Sequence, residues 1–346
     1  MRNRRNRLLV LARIVGGIIA FAALPASAQE GDEKVSIEEM LRGSQGDTLP
    51  TPADPPEEAA PEEAAPGLGA ATRADLAYGA FQRGFYLSAL RIAEPLANLG
   101  DPAAQTLLGE IYSRGLGVAQ DFAAAAKWYQ AAARAGGAEG QFRYAMMLID
   151  GTAGTRDVAQ ARDLMKAAAD QGLPLAQYNY AQMLIEAAPN AGFEEATPLF
   201  EKAANAGVPD AQYAMSQIYA YGRGVIADVA RARSWLRAAA INGQEAAQIE
   251  YGIWLINGKG GEARPQEGFH FLKRAADRGN PIAINRVAHL YKDGIGTEPD
   301  TQEAAKWAVL AKRLANTDPV LDDFFRGLDL ATQKSALEAA NRLGSG

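Results

Sequence analysis

Residues 103–136 read AAQTLLGEIYSRGLGVAQDFAAAAKWYQAAARAG. Ala104, Leu108, Ile111 and Tyr112 fall at i, i+4, i+7 and i+8, one face of a helix. Gly115-Leu116-Gly117 follows, and glycine supplies the left-handed conformation that stops a helix. Asp121 suits the N-cap of a second helix, because its carboxylate can accept from the free backbone N–H groups of a first turn. That helix carries Trp128 and the pair Ala132-Ala133 and stops at Gly136. The stretch therefore spells helix, turn, helix, stop.

The same stretch returns along the chain. Gly100, Gly136, Gly172, Gly207, Gly243 and Gly279 are spaced 36, 36, 35, 36 and 36. Trp128, Leu164, Leu199, Trp235, Phe271 and Trp307 keep the same step. Five residues after the glycine stands a glutamine: Gln105, Gln141, Gln177, Gln212 and Gln248, with Ile284 breaking the column. Pro102, Pro174, Pro209 and Pro281 fall at +2, a first helical position where a missing N–H costs nothing. Asp101 and Asn280 are N-cap residues for two of these helices, and Asp157, Asp228 and Asp300 repeat the role of Asp121. Position +9 is always small: Gly109, Ala145, Ala181, Ser216, Gly252 and Ala288. A fixed period in this range means a stacked repeat array. We count a degenerate repeat at 73–100, then 101–136, 137–172, 173–207, 208–243, 244–279 and 280–315. The last has Ala315 where glycine is due, and residues 316–346 read as a C-terminal helical cap. Repeat 173–207 replaces the G-x-G turn with EAAPNAGFEEATP, and Pro198 after Thr197 predicts a shortened second helix.

The pattern A-Q-x-x-L-G-x-x-Y-x-x-G-x-G-V, then Asp, A-x-x-W, A-A and G, resembles the Sel-1-like repeat family over residues 73–315, most closely at 103–136 and 210–243. The resemblance implies an all-α fold: a right-handed α/α superhelical solenoid of about seven two-helix repeats, related to tetratricopeptide repeats. It also implies a protein–protein adaptor, in a family that includes periplasmic regulators of bacterial signalling and envelope polysaccharide.

Residues 1–28 stand apart. Arg2, Arg4, Arg5 and Arg7 precede an apolar stretch, and Ala26-Ser27-Ala28 is an A-x-A cleavage site. This predicts a signal peptide, a mature start at Gln29 and a periplasmic protein. The other reading is a retained anchor, but only 11 uninterrupted apolar residues follow Arg13, against about 20 for a membrane span. No other apolar run approaches that length, so no membrane span is expected after cleavage. Five of the 35 basic residues lie in this leader, so the mature chain carries −11. Residues 29–72 hold 11 acids and two bases and twice repeat EEAAP. Such a segment has too little apolar surface for a core and predicts a disordered linker, dispensable for folding. Within it, Ile37, Met40 and Leu41 follow a capping-box pattern at Ser36 and Glu39, in keeping with either a short docking helix or a transient one.

There is no cysteine, which excludes disulfides, thiolate metal sites and cysteine nucleophiles. The two histidines, His270 and His289, occupy different positions in adjacent repeats, with no carboxylate at ligand spacing. The G-x-G turns follow helices rather than strands and so lack the setting of a phosphate loop. No basic cluster points to nucleic acid. No catalytic residue, metal or cofactor is therefore expected. An envelope-directed hydrolase and a polysaccharide-associated structural scaffold are the alternative functions.

First-helix positions +6, +10 and +13 lie opposite the core stripe. They are polar in the end repeats: Thr106, Glu110 and Ser113, and Asn285, His289 and Lys292. In the middle repeats they are Phe142, Met146 and Ile149; Tyr178, Gln182 and Ile185; Tyr213, Gln217 and Ala220; and Ile249, Ile253 and Ile256. One reading is a concave groove for a protein or extended peptide, centred on Tyr178 and Tyr213, with Phe142, Met146, Gln182, Gln217, Ile249 and Ile253 around them. The other is that neighbouring first helices pack so closely that +6 and +13 are buried between them. Both fit the periodicity equally. The recurring bulky column predicts a core position, at which Trp235→Ala would cost about 3–5 kcal/mol.

Overall fold

The computed structural model describes residues 70–343; the predicted leader and the linker up to residue 69 lie outside them. Sixteen α-helices and no strand occur among the described residues. The described residues divide into two compact bodies, 70–131 and 132–343.

The first body holds α1 (Ala70–Gln82), α2 (Tyr86–Asn98), α3 (Pro102–Arg114) and most of α4 (Phe122–Arg134). Helix α1 packs on α2, and α2 on α3. Ala93, Leu96, Leu108 and Ile111 form the centre of its core. Tyr129 of α4 is buried and donates to Glu110 of α3 at 2.9 Å.

The second body holds five pairs or parts of pairs: α5 (Ala138–Asp150) and α6 (Val158–Asp170), α7 (Pro174–Ala187) and α8 (Gly192–Asn205), α9 (Pro209–Tyr221) and α10 (Val229–Ile241), α11 (Glu245–Asn257) and α12 (Pro265–Asp277), and α13 (Pro281–Asp293) and α14 (Thr301–Arg313). From α5 to α14 each helix packs on the next, so α6 to α13 each bury one face against the preceding helix and another against the following one. That is a stacked α/α array rather than a closed bundle. Two further helices, α15 (Pro319–Gly327) and α16 (Leu330–Leu343), cover α14 and form the cap.

Local chemistry sets the ends of these helices. Pro102, Pro174, Pro209 and Pro281 are first helical residues. The carboxylates of Asp121, Asp157, Asp228 and Asp300 each accept from backbone N–H groups of the following turn. Asp101 and Asn280 do the same for α3 and α13. The periodic glycines from Gly100 to Gly279 all have φ between 84° and 94°. Where the seventh glycine is due, Ala315 takes φ 55°, and it is the one non-glycine with positive φ among the described residues. The second glycine of the G-x-G turn adds close approach to a positive φ, 74° at Gly296. A Cβ on Gly296 would stand 2.1 Å from the carbonyl oxygen of Pro265, the first residue of α12, so the turn sits directly on the preceding repeat.

Two expectations need correction. The second helix of repeat 173–207 is not shortened. It runs Gly192–Asn205 with Pro198 inside it. The residue lost from this repeat comes out of the turn, and Thr197 Oγ1 donates to Phe193 O at 2.6 Å beside the proline. The bulky column is also not the core column. Trp128, Leu164, Leu199, Trp235 and Phe271 are half-buried. The residue after each, Tyr129, Met165, Phe200, Leu236 or Leu272, is at most 2% exposed. Only in the last repeat, where the next residue is Ala308, is the column member itself, Trp307, buried. The small +9 column behaves as read: Ala145, Ala181, Ser216 and Ala288 are at most 1% exposed.

Candidate partner-binding face

The glutamine column is a structural link. Gln177, Gln212 and Gln248 donate through Nε2 to Ala169 O, Ala204 O and Ala240 O, carbonyls in the last turn of the preceding second helix. Each of these carbonyls also accepts from the N–H of a periodic glycine, Gly172, Gly207 or Gly243, so the amide adds a second donor where the helix ends. Three of these glutamines also accept from a residue thirty places on, at the end of the next second helix: Gln141 from Gln171, Gln212 from Asn242 and Gln248 from Arg278. A buried amide thus joins successive repeats. Where Ile284 breaks the column, Asn316 donates to Pro281 O instead.

The face formed by +6, +10 and +13 has a buried floor and a half-exposed crest. Phe142, Tyr178, Tyr213 and Ile249 at +6 are only 6–7% exposed. The side-by-side display of Tyr178 and Tyr213 to solvent is therefore not found, because neighbouring helices cover this column. The Tyr178 ring meets Phe200 of α8 edge to face at 5.7 Å, and its hydroxyl accepts from Gln182 Nε2 at 2.5 Å. Burial, then the Asp210 carboxylate, hold its phenol protonated far above the ordinary range. Tyr213 donates to Glu250 of α11 at 2.9 Å, and Gln217 Nε2 donates to the same oxygen at 2.9 Å. Burial, then that carboxylate, keep the Tyr213 phenol protonated as well.

At +10, Gln182 is buried, while Met146, Gln217 and Ile253 are half-exposed. At +13, Ile185 is buried, and Ile149, Ala220 and Ile256 are half-exposed. Of the eight predicted contact residues, Met146, Gln217 and Ile253 therefore keep side-chain surface for a partner. Phe142, Tyr178, Gln182, Tyr213 and Ile249 form the floor under them.

The C-terminal end repeats the Tyr213–Gln217–Glu250 arrangement with other residues. Asn285 at +6 donates to Asp318 Oδ2 at 3.0 Å, and His289 Nε2 at +10 lies 2.8 Å from the same oxygen. Asp318 also caps α15 through Val320 N and Leu321 N. Burial alone would raise its pKa. The bonds from His289, Asn285 and the backbone outweigh that and hold its carboxyl at about 2. His289, placed by the sequence on an outer face without a carboxylate, thus has one 29 residues on. His270 is exposed and touches Phe269 edge to face. Glu250 and Asp318 were missed because each lies about a repeat away from its partners. The one sequence signal was that +6 and +10 both stay polar in repeat 280–315.

Among the described residues no group of three or more His, Asp or Glu side chains could hold a metal ion, and no helix is long and apolar enough to cross a membrane.

The Sel1 repeat family model matches residues 102–137, 138–173, 209–244, 245–280 and 281–316, passing over the repeat whose turn is altered. Among solved structures, a Sel1 repeat protein from Oxalobacter formigenes is similar at 28% identity and a TM-score of 0.61, covering 70% of this chain and 99% of that one. A protective antigen of uropathogenic Escherichia coli displaying an SLR fold is similar in fold, at 24% identity and a TM-score of 0.53, with 80% of this chain and 68% of that one covered. Comparison with curated proteins gives no match. Five matched repeats, the capped helix pairs and these neighbours together make the chain a member of the Sel1 repeat family.

Proposed function

We propose that this chain is an exported, periplasmic interaction scaffold that holds a protein or extended peptide along the first-helix face of its middle repeats. Sel1 repeat solenoids typically mediate protein–protein interaction and are generally non-catalytic. The observation that carries the reading is the crest of half-exposed side chains, Met146, Gln217 and Ile253 with Ile149 and Ile256, standing on a closely packed floor. Such a crest offers apolar contact and amide hydrogen bonding at positions held rigidly by the buried rings beneath. Rigid placement lowers the entropy cost of binding. Export rests on the leader at residues 1–28, which also favours an envelope partner such as a signalling or polysaccharide-related protein.

Two experiments test this. A photo-cross-linking residue at position 146, 217 or 253, introduced into the full chain in cells, should give a discrete adduct, and one at Arg237 on α10 should not. Equal labelling from both faces would count against the first-helix face. N-terminal sequencing of the exported protein should begin at Gln29; material beginning at Met1 would count against cleavage.

A further inference from the structure

Between α11 and α13 lies a cavity of about 300 Å³. Its walls are Ile253, Ile256, Leu290 and Ile295, and Arg286 and His289 also line it. Arg286 is exposed and makes no hydrogen bond or ion pair among the described residues. The carboxylates at and near the corresponding positions have partners of their own and form no ion pair with it. Glu250, at the corresponding position one repeat earlier, receives Tyr213 and Gln217. Asp322, at the corresponding position one repeat later, pairs with Lys312 at 3.0 Å. Asp318 is held by Asn285, His289 and two backbone N–H groups. The cavity therefore combines an aliphatic lining with one guanidinium that is in no ion pair, while Asp318 is tied to His289. A guanidinium has the planar donor geometry that recognises a carboxylate through two parallel bonds.

We infer that this cavity receives an aliphatic side chain of a bound peptide, with an aspartate or glutamate next to it in sequence meeting Arg286. The inference rests on the proposed peptide-binding face and names the chemistry of its ligand. An acidic-aliphatic segment meets both halves of the site at once, and the crest at Gln217 and Met146 continues the contact away from it. The cavity opens on the same face as Ile253, so one extended chain can lie along the crest and turn a side chain into it.

The test is selection of a random dodecapeptide library, displayed on phage, against the full chain. Selected peptides are then titrated against the unaltered protein, Arg286→Glu and Met146→Glu. The inference expects an acidic residue within two positions of Leu, Ile or Met. It also expects affinity at least tenfold weaker for Arg286→Glu, and partial recovery when the peptide's acid is changed to Lys. Arg286 is exposed, so circular dichroism should be the same for this variant as for the parent. Peptides weakened by Met146→Glu and indifferent to Arg286→Glu would overturn the cavity assignment and leave the binding face standing. A library that yields no binder would overturn both. Displacement of the selected peptides by millimolar hexanoate but not by the peptide's own acid-to-alanine variant supports the carboxylate contact. Hexanoate binding without any selected peptide would assign the cavity to a small apolar acid and overturn the peptide.

Discussion

Trp235 and Leu236 are neighbours on α10, yet they do different work. Leu236 is fully buried, while Trp235 is half-buried. Loss of a buried leucine removes its transfer energy and leaves a cavity, so Leu236→Ala should cost about 2–5 kcal/mol. Trp235→Ala should cost less, about 1–2 kcal/mol, since part of the ring already faces water. Urea unfolding of the two variants checks the order; a larger loss at Trp235 would mean that the two columns have been exchanged. Ala315 offers the opposite case. A non-glycine residue in the left-handed region carries a steric cost of about 1–2 kcal/mol, because its Cβ crowds the following carbonyl. Glycine removes that cost but loses more chain entropy on folding. Ala315→Gly should therefore raise stability by about 0.5–1 kcal/mol, seen as a higher urea midpoint. No change, or a loss, would mean that the strain is relieved elsewhere in the junction between α14 and α15.

Helices in this molecule are joined by side chains as much as by packing. Gln248 bridges Ala240 O on α10 and Arg278 at the end of α12. Gln248→Ala removes one of the donors to Ala240 O, which keeps the Gly243 N–H, and the acceptor for Arg278, and should cost about 1 kcal/mol, whereas an exposed glutamine would cost almost nothing. The cap helix α15 depends on Asp318 in the same way, with a pH signature. Its folded pKa of about 2 lies below the ordinary carboxylate value. The stabilisation is therefore fully present above about pH 4 and is lost as pH falls through about 2. Asp318→Asn should flatten that part of the acid unfolding curve for the C-terminal cap; an unchanged curve would mean that other carboxylates govern it.

At this scale the sequence was legible where a signal is local. The glycine stops, the N1 prolines and the aspartate caps each act within one turn, and each stands where its spacing predicts. What was not legible depends on how far apart two helices lie. A period identifies a column but not its phase against the core, hence the one-residue displacement at Trp235. It also cannot tell whether neighbouring helices close over +6, hence the burial of Tyr178 and Tyr213. The carboxylates that complete the polar pairs come from outside the repeat, Glu250 from the following repeat and Asp318 from the cap; Asp318 before Pro319 is legible as an N-cap, like Asp101 before Pro102, but not as a partner of His289.

At the scale of the whole molecule, stacking within each body explains the stability and supports the proposed binding face. Within each body a repeat buries its helices against the next, so the stability is shared among neighbouring interfaces. The first-helix crest is then left free to vary in chemistry without loss of the floor, and that division between floor and crest is the central claim. It is tested most directly by titrating a partner captured at position 253 against the parent protein and the double variant Met146→Glu/Ile253→Glu. A few residues usually carry most of the binding energy at an interface. The double variant should stay helical, with a melting midpoint lowered by the lost packing of Ile253 on the core, and at a temperature where it is folded should bind more weakly by at least about 2 kcal/mol, roughly thirtyfold. Unchanged affinity in a folded double variant would contradict the account.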